Sequence, residues 1–288
     1  MKILITGCNG QLGSEIRLLE PLYPHHTFVN TDIEELDITN QLAVEDFVNR
    51  HGIDGIVNCA AFTAVDKAEE EKELCTTLNT VAPSFLAAAI HKRKGWLIHI
   101  STDYVFNGQH NQPYCEEDTP CPDSVYGNTK LAGELGVTKF CPRTLIIRTA
   151  WLYSRFGHNF VKTMMRLGKE RDRLGVVFDQ TGTPTCAADL ARAILSIIEQ
   201  GVRPGVYHYS NEGVTSWYDF ALAVHRLSGI DTCEVSPIHT SEYPTAATRP
   251  AYSVLDKTKI KRDFGLRIPH WEASLAETIR QIKQEEQS

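Results

Sequence analysis

Tyr126 and Lys130 stand four residues apart in Ser124-Val125-Tyr126-Gly127-Asn128-Thr129-Lys130. On a helix that spacing brings both side chains to one face. A free phenol, with a pKa near ~10, is a poor acid at neutral pH. A fixed positive charge nearby favours the phenolate and lowers that value. Such a pair is suited to hand a proton to, or take one from, an alcohol or ketone. Tyr–Lys pairs of this spacing are also common on solvated helix faces, so the reading gains weight only from its surroundings.

Gly7-Cys8-Asn9-Gly10-Gln11-Leu12-Gly13 supplies the first of these surroundings. It follows the apolar run Ile3-Leu4-Ile5 and opens a helical period. Glycines there allow a tight turn and close approach of a pyrophosphate, and the helix N-terminus favours that anion. The spacing is G-x-x-G-x-x-G rather than G-x-G-x-x-G. Asp32, after a second apolar run, is placed to accept hydrogen bonds from an adenosine ribose, which favours NAD over its 2′-phosphorylated form. A turn aspartate is the bland alternative. Asp37 and Ile38 are candidates to wall the adenine. Asn58-Cys59-Ala60-Ala61-Phe62-Thr63 ends a third strand, where small residues let a cofactor lie against the backbone. Asn79 is a candidate anchor for that loop. Ser101-Thr102-Asp103 ends a fourth, putting the Thr102 hydroxyl where it can meet the same carbonyl oxygen as Tyr126. Trp151 follows a fifth strand and is read either as core or as a platform for a sugar ring. The guanidinium fork of Arg249 suits a diphosphate, or else caps a surface helix. Gln180 is a weaker candidate for a nucleotide base.

The elements that must hold these residues are legible as a pattern. Strands are expected at 3–5, 27–29, 55–57, 96–100 and 144–148, with helices at 11–22, 40–50, 73–92 and 124–139. Several strands are apolar at successive positions, as burial on both faces requires. Alternation of strands and helices implies an α/β fold with a doubly wound parallel sheet of the Rossmann type. Residues 1–150 read as the dinucleotide-binding domain and 151–288 as a smaller substrate-binding lobe, with segments from about 174–200 returning to the sheet. Helices are expected there at 158–170, 187–200, 216–227 and 272–286, and short strands near 174–178 and 205–209.

A net charge of -7 argues against a general nucleic-acid binder. No apolar run reaches membrane-spanning length, and the start runs straight into a glycine turn rather than a leader, so a cytoplasmic location is expected. The eight cysteines form no Cys-x-x-Cys pair and no zinc spacing, and read as reduced thiols. No metal is expected.

Together these segments resemble the extended short-chain dehydrogenase/reductase family over essentially the whole chain. The matching runs are Gly7–Gly13, Ala60–Ala68, Ser101–Gly108, Tyr126–Glu134, Arg148–Tyr153, Asp179–Thr185 and Arg249–Asp256. Within it the chain is most similar to the branch that reduces the C4 keto group of dTDP-4-dehydro-L-rhamnose to give dTDP-L-rhamnose. The resemblance implies NADPH or NADH as cofactor and a dTDP-sugar as substrate. It implies Tyr126 as proton donor, Lys130 as its partner and Thr102 as the orienting hydroxyl. Gly10, Gln11 and Leu12 would lie at the cofactor phosphates. Asp32, Asp37, Ile38, Ala61, Phe62, Thr63 and Ile100 would line the rest. Thr102, Asp103 and Trp151 would contact the sugar nucleotide. Phe62 stands where such reductases often have histidine. Some members hold Mg²⁺ between subunits; Glu15, Asp189 and a tail glutamate are candidate matching positions, with an aspartate in place of one glutamate, and no site is assigned on them. A homodimer is compatible with the resemblance. Two alternatives share these motifs: another sugar-nucleotide epimerase or reductase, and a non-catalytic regulatory subunit of the methionine adenosyltransferase type.

Overall fold

Runs of consecutive apolar residues form the first five strands: β1 (Lys2–Thr6), β2 (Thr27–Thr31), β3 (Gly55–Asn58), β4 (Trp96–Thr102) and β5 (Thr144–Thr149). Between them lie α1 (Gln11–Leu19), α2 (Gln41–Arg50), α3 (Val65–Ala68), α4 (Lys72–Thr76), α5 (Ala82–Lys92) and α6 (Val125–Phe140). The computed structural model describes residues 1–286. Short polar side chains start the helices where the sequence places them. Asn40 accepts from the Ala43 N–H and Ser124 from the Gly127 N–H, each at 3.1 Å, satisfying amides that a helix leaves free.

The second half adds β6 (Leu152–Tyr153), α7 (Phe160–Glu170), β7 (Arg173–Val177), β8 (Thr181–Gly182), β9 (Thr185–Cys186) and α8 (Ala187–Gln200). It continues with β10 (Gly205–His208), β11 (Thr215–Ser216), α9 (Trp217–Ser228), β12 (Glu234–Ile238), α10 (Thr258–Phe264) and α11 (Trp271–Glu286). Among the described residues no helix is long and apolar enough to cross a membrane.

Six strands make one parallel sheet in the order β10-β5-β4-β3-β1-β2. Alternate residues feed opposite layers. Ile3, Ile5, Val57, Ile98 and Ile147 pack with Leu12, Ile16, Leu190, Ile194 and Ile260, joining α1, α8 and α10 to one face. Leu4, Ile56, Leu97 and Ile146 pack with Val44, Val48, Leu86, Ile90 and Val137, joining α2, α5 and α6 to the other. The winding reverses between β1 and β3, because β2 lies on one side of β1 and β3 on the other. Their C-terminal ends therefore leave a crevice, where open α/β sheets bind ligands.

Several expectations are corrected. The strand near 174–178 does not return to the sheet. Instead β7 pairs with β12 in a separate parallel pair. The chain rejoins the sheet through α8, β10 and α10; α10, like β12 in the separate pair, lacks a strong enough period to read from sequence. The expected helix at 73–92 is broken: a π-helical turn, Thr77–Val81, separates α4 from α5. A π turn shifts side-chain phase, and the phase gained here turns Asn79 inward, fully buried. The second lobe has its own core, in which Tyr153, Val161, Met165, Phe220, Val224, Trp271 and Leu275 meet.

Close approach of α6 to this π turn depends on Gly133, where an added Cβ would sit 2.1 Å from the Asn79 carbonyl oxygen. Replacing a helical glycine by alanine ordinarily gains up to about 1 kcal/mol of helix propensity. Here backbone would have to move, so Gly133→Ala is expected to lose about 1–3 kcal/mol of stability, as overpacked cores do. Urea denaturation checks this, and a neutral or stabilising result would show that the helix can shift freely.

Candidate active site

The glycine turn leaves β1 with Gly7 at φ +65°, a conformation that favours glycine. A Cβ at Gly13 would lie 2.4 Å from the Gly7 carbonyl oxygen, so this glycine lets α1 pack on its own turn. Gly10 differs: a Cβ there would meet only the Gly7 oxygen, at 3.3 Å. A side chain at Gly10 would press only on that one backbone oxygen within the fold, but it would also fill the space of a phosphate seated on the α1 N-terminus. Gly10 is also the N-cap of α1 and supplies no side-chain hydrogen bond, leaving helix amides free for an anion. The residues present thus fit a dinucleotide.

A cavity of about 480 Å³ opens beside this turn, lined by Gly7, Gly10, Asp32, Asp37, Ile38 and Ala61 among others. Asp32 follows β2, with its carboxylate accepting from the Asn9 and Ile33 amides. Hydrogen bonds from Thr39 hold the Asp37 carboxyl below its usual range. Other expected cofactor residues lie around this cavity rather than in its wall. The Leu12 side chain is in the core, leaving only its backbone to face a phosphate. Gln11 accepts from Asn159 Nδ2 of the second lobe at 3.1 Å. Thr63 is exposed on the loop after β3. Asn79 fixes that loop from both sides: its Oδ1 accepts from Phe62 N at 2.9 Å, and its Nδ2 donates to Phe62 O at 3.0 Å. The Phe62 ring packs in a small cluster with Cys75, Ala68 and Tyr126.

Thr102, Tyr126 and Lys130 come together at the end of β4. All three are buried. The Thr102 hydroxyl lies beside the Tyr126 phenol, close enough to favour its ionised form, and Tyr104 stands edge-on to the Tyr126 ring at 5.5 Å. The expectation that Lys130 lowers the phenol's pKa is not met. Burial pushes Tyr126 upward, opposed chiefly by the Thr102 hydroxyl. The ammonium of Lys130 instead donates to the Ile100 carbonyl at 2.6 Å. Burial brings Lys130 down to about 8, opposed by Glu134. Glu134 lies one turn further along α6 and is forked to Arg148, with Nε–Oε1 2.9 Å and Nη2–Oε2 2.7 Å, while Ser101 donates to it at 2.5 Å. A neutral, protonated phenol at neutral pH is the form that a reduction requires.

A family profile described as the RmlD substrate binding domain matches residues 1–284. A dTDP-4-dehydrorhamnose reductase from Aggregatibacter actinomycetemcomitans is 39% identical over 286 residues, covering 95% of this chain and 97% of that protein. The chain belongs to the dTDP-4-dehydrorhamnose reductase family. A crystal structure of such a reductase from Clostridium acetobutylicum superposes with a TM-score of 0.94 at 46% identity, covering 98% of this chain and 100% of that one. The Bacillus anthracis dTDP-4-dehydrorhamnose reductase, solved in complex with NADP, gives 0.93 at 39% identity, covering 97% of this chain and 99% of its own.

In this member of the dTDP-4-dehydrorhamnose reductase family a second cavity, about 570 Å³, lies in the C-terminal lobe, lined by Gln180, Arg249, Trp217, Phe160, Tyr243 and neighbours. Gln180 is buried, with Nε2 donating to Thr240 Oγ1 at 3.1 Å. The Arg249 fork is already engaged within the protein. Its Nη1 and Nη2 donate to Asp66 at 3.0 and 2.7 Å, because the loop before β8's partner residue Tyr252 crosses α3. Trp151 adopts φ +47° directly after β5, and one ring face stacks on Trp217 at 3.6 Å. Asp103 accepts from Thr102 through Oδ1 at 3.0 Å, while its buried Oδ2 has no hydrogen-bond partner. Burial raises Asp103 to about 6. Glu15 and Asp189 have protein partners: Ser154 donates to Glu15, and Arg192, Asn211 and Ser274 donate to Asp189. Neither belongs to a metal-ligating group among the described residues.

Sequence reading missed Asp66, Trp217, Tyr104 and the Glu134–Arg148 pair. Only Glu134 carried a local signal, since Tyr126, Lys130 and Glu134 recur every four residues along one helix stripe. The others meet the site from distant segments. Two outcomes follow from this geometry. Lys130 keeps its charge below about pH 8 and loses it above, so kcat/KM, which follows the free enzyme, should fall as pH rises through that value. A profile flat across that range would count against a charged Lys130. Asp32→Ala should weaken NADH binding by about tenfold, one good hydrogen bond to a charged group, and NADPH binding less. Fluorescence titration with each nucleotide tests this, equal losses being contrary.

Proposed function

We propose that this protein uses NADPH or NADH to reduce the C4 keto group of dTDP-4-dehydro-L-rhamnose, giving dTDP-L-rhamnose. The observation that carries the reading is the meeting of Thr102, Tyr126 and Lys130 at the end of β4, next to the strand ends that carry the nucleotide cavity. The names of its relatives, at 37–40% identity over nearly their whole length, support the substrate.

The reduced nicotinamide, when bound, supplies the hydride that reaches the carbonyl carbon. The chain's own work is on the oxygen. Tyr126 holds the proton that this oxygen takes up, and Thr102 offers it a second hydrogen bond. Lys130, anchored to the Ile100 carbonyl, fixes the turn of α6 that carries Tyr126. Asp103, with an oxygen left unpaired by the protein, is placed to take a hydroxyl of the sugar. The Trp151 edge supports the sugar ring. The second cavity, with Gln180 at its wall, takes the nucleotide part of the substrate. Arg249 contributes there through its hold on Asp66, which ties the two lobes together on that side.

Loss of absorbance of the reduced nicotinamide with dTDP-4-dehydro-L-rhamnose, run with each cofactor, tests the activity. Tyr126→Phe is expected to lower kcat by about 10²–10⁴-fold, the range that general acid catalysis contributes, with cofactor affinity nearly unchanged. Wild-type turnover by that variant would falsify the role of the phenol. A chain that binds the cofactor yet turns over no dTDP-sugar, while retaining a protein partner in pulldown, would instead be a regulatory subunit.

A further inference from the structure

At the opposite end of the sheet from the nucleotide crevice, three ligand-type side chains converge. His25 and His26 lie in the link from the 3-10 turn Glu20–Leu22 to β2, and Glu199 in the last turn of α8. His26 directly precedes the first residue of β2, whereas Asp32 directly follows its last. Five residues of strand therefore separate this cluster from the cofactor side, roughly 17 Å at the usual rise per residue.

His25 Nε2 is 2.9 Å from Glu199 Oε1 and 3.0 Å from Oε2. His26 Nε2 is 2.7 Å from Oε1. The ligand atoms of all three residues lie within 4.8 Å of one another. A hydrogen bond accounts for His25 and Glu199 without any ligand. It does not account for His26. That side chain is only 6% exposed, yet neither of its ring nitrogens has a hydrogen-bond partner. Its Nε2 is close to the carboxylate but not aligned to donate to it. A buried polar group left unpaired is destabilising unless something else satisfies it. A buried imidazole nitrogen 2.7 Å from a carboxylate, with no aligned hydrogen bond and a second imidazole on the same carboxylate, presents the donors a bound cation would use.

We propose that His25, His26 and Glu199 bind one divalent transition-metal ion of the Zn²⁺, Co²⁺ or Ni²⁺ class. Two imidazoles and a carboxylate suit such ions, while Mg²⁺ and Ca²⁺ prefer oxygen alone. Ligands at ~2.0–2.2 Å around a tetrahedral ion lie roughly 3–3.5 Å from one another. The observed 2.7–3.0 Å separations need only a few tenths of an ångström of spreading. The His26 ring is already oriented, edge-on to Phe28 at 6.1 Å and against His25 at 4.3 Å. His25 and Glu199 are partly exposed, at 56% and 37%, which leaves an entry path and a position for water. A bound ion would clamp the end of α8 to the start of β2, and nothing in the proposal depends on the catalytic reading.

The test is calorimetric titration of the chelator-stripped full chain, carrying no polyhistidine tag, with Zn²⁺ and separately with Mg²⁺. His25→Ala and Glu199→Gln are the matched variants, both at exposed positions that the fold tolerates. We expect one Zn²⁺ per chain, at least tenfold weaker in each variant, and no comparable Mg²⁺ binding at these residues. Zn²⁺ should raise the thermal midpoint of the wild type and not of the variants. Absence of saturable Zn²⁺ binding would overturn the proposal. So would equal affinity in both variants, which would assign the ion to other groups such as the exposed Cys115 and Cys121.

Discussion

The arrangement of this molecule depends on one buried cation. Lys130 is 2% exposed, and an ammonium taken out of water costs several kcal/mol unless it is compensated. Two compensations are built in. The Ile100 carbonyl at the end of β4 takes a hydrogen bond from it, and Glu134 lies within the same helix stripe. Glu134 is itself buried and needs the Arg148 fork and the Ser101 hydroxyl. A chain of charges thus ties α6 to β4 and β5. It sets the depth and rotation of the helix, and with them the place of Tyr126. The same burial that requires these partners keeps the phenol protonated, ready to donate.

A second network sets the other wall. Thr6, Asn58 and His99 connect β1, β3 and β4 beneath the crevice, through Thr6 Oγ1 to Asn58 Oδ1 at 2.7 Å and Asn58 Nδ2 to His99 Nδ1 at 3.1 Å. Burial holds His99 well below its usual pKa, with the Lys130 charge acting in the same direction, so the ring stays neutral. Above it, the π turn presents Asn79 to the loop at Phe62 and to Thr129 of α6. One side chain therefore relates the cofactor-side loop to the catalytic helix. Between the lobes, Trp151 reverses the chain at positive φ, a strain of about 1–3 kcal/mol that its stack on Trp217 helps hold. Asn159 on Gln11, Ser154 on Glu15 and Arg249 on Asp66 complete the attachment of the second lobe.

The two ends of the sheet are built differently. At the C-terminal ends, glycines and small residues leave space, and polar atoms such as Asp103 Oδ2 are left unpaired. At the N-terminal end of β2, His25, His26 and Glu199 crowd together with little room between them. Open space suits an organic ligand of many atoms, whereas crowded nitrogen and oxygen donors suit a single ion.

The sequence alone determined the alternating α/β architecture, the positions of its first five strands, the phosphate turn and the Tyr126–Lys130 stripe. These are written locally: apolar runs, glycine spacing and a four-residue period act over less than a dozen positions. The break at Thr77–Val81 escaped because a π turn leaves no mark in an apolar period. Arg249 looked free because its partner, Asp66, is 183 residues away. Trp151 likewise gave no sign of Trp217. The direction of the Tyr126 shift was decided only by tertiary structure, since burial outweighed a neighbouring charge whose ammonium turned to a backbone carbonyl. Spacing tells which groups share a face, but desolvation and partner choice are properties of the packed interior, set by segments that meet only when the chain has folded.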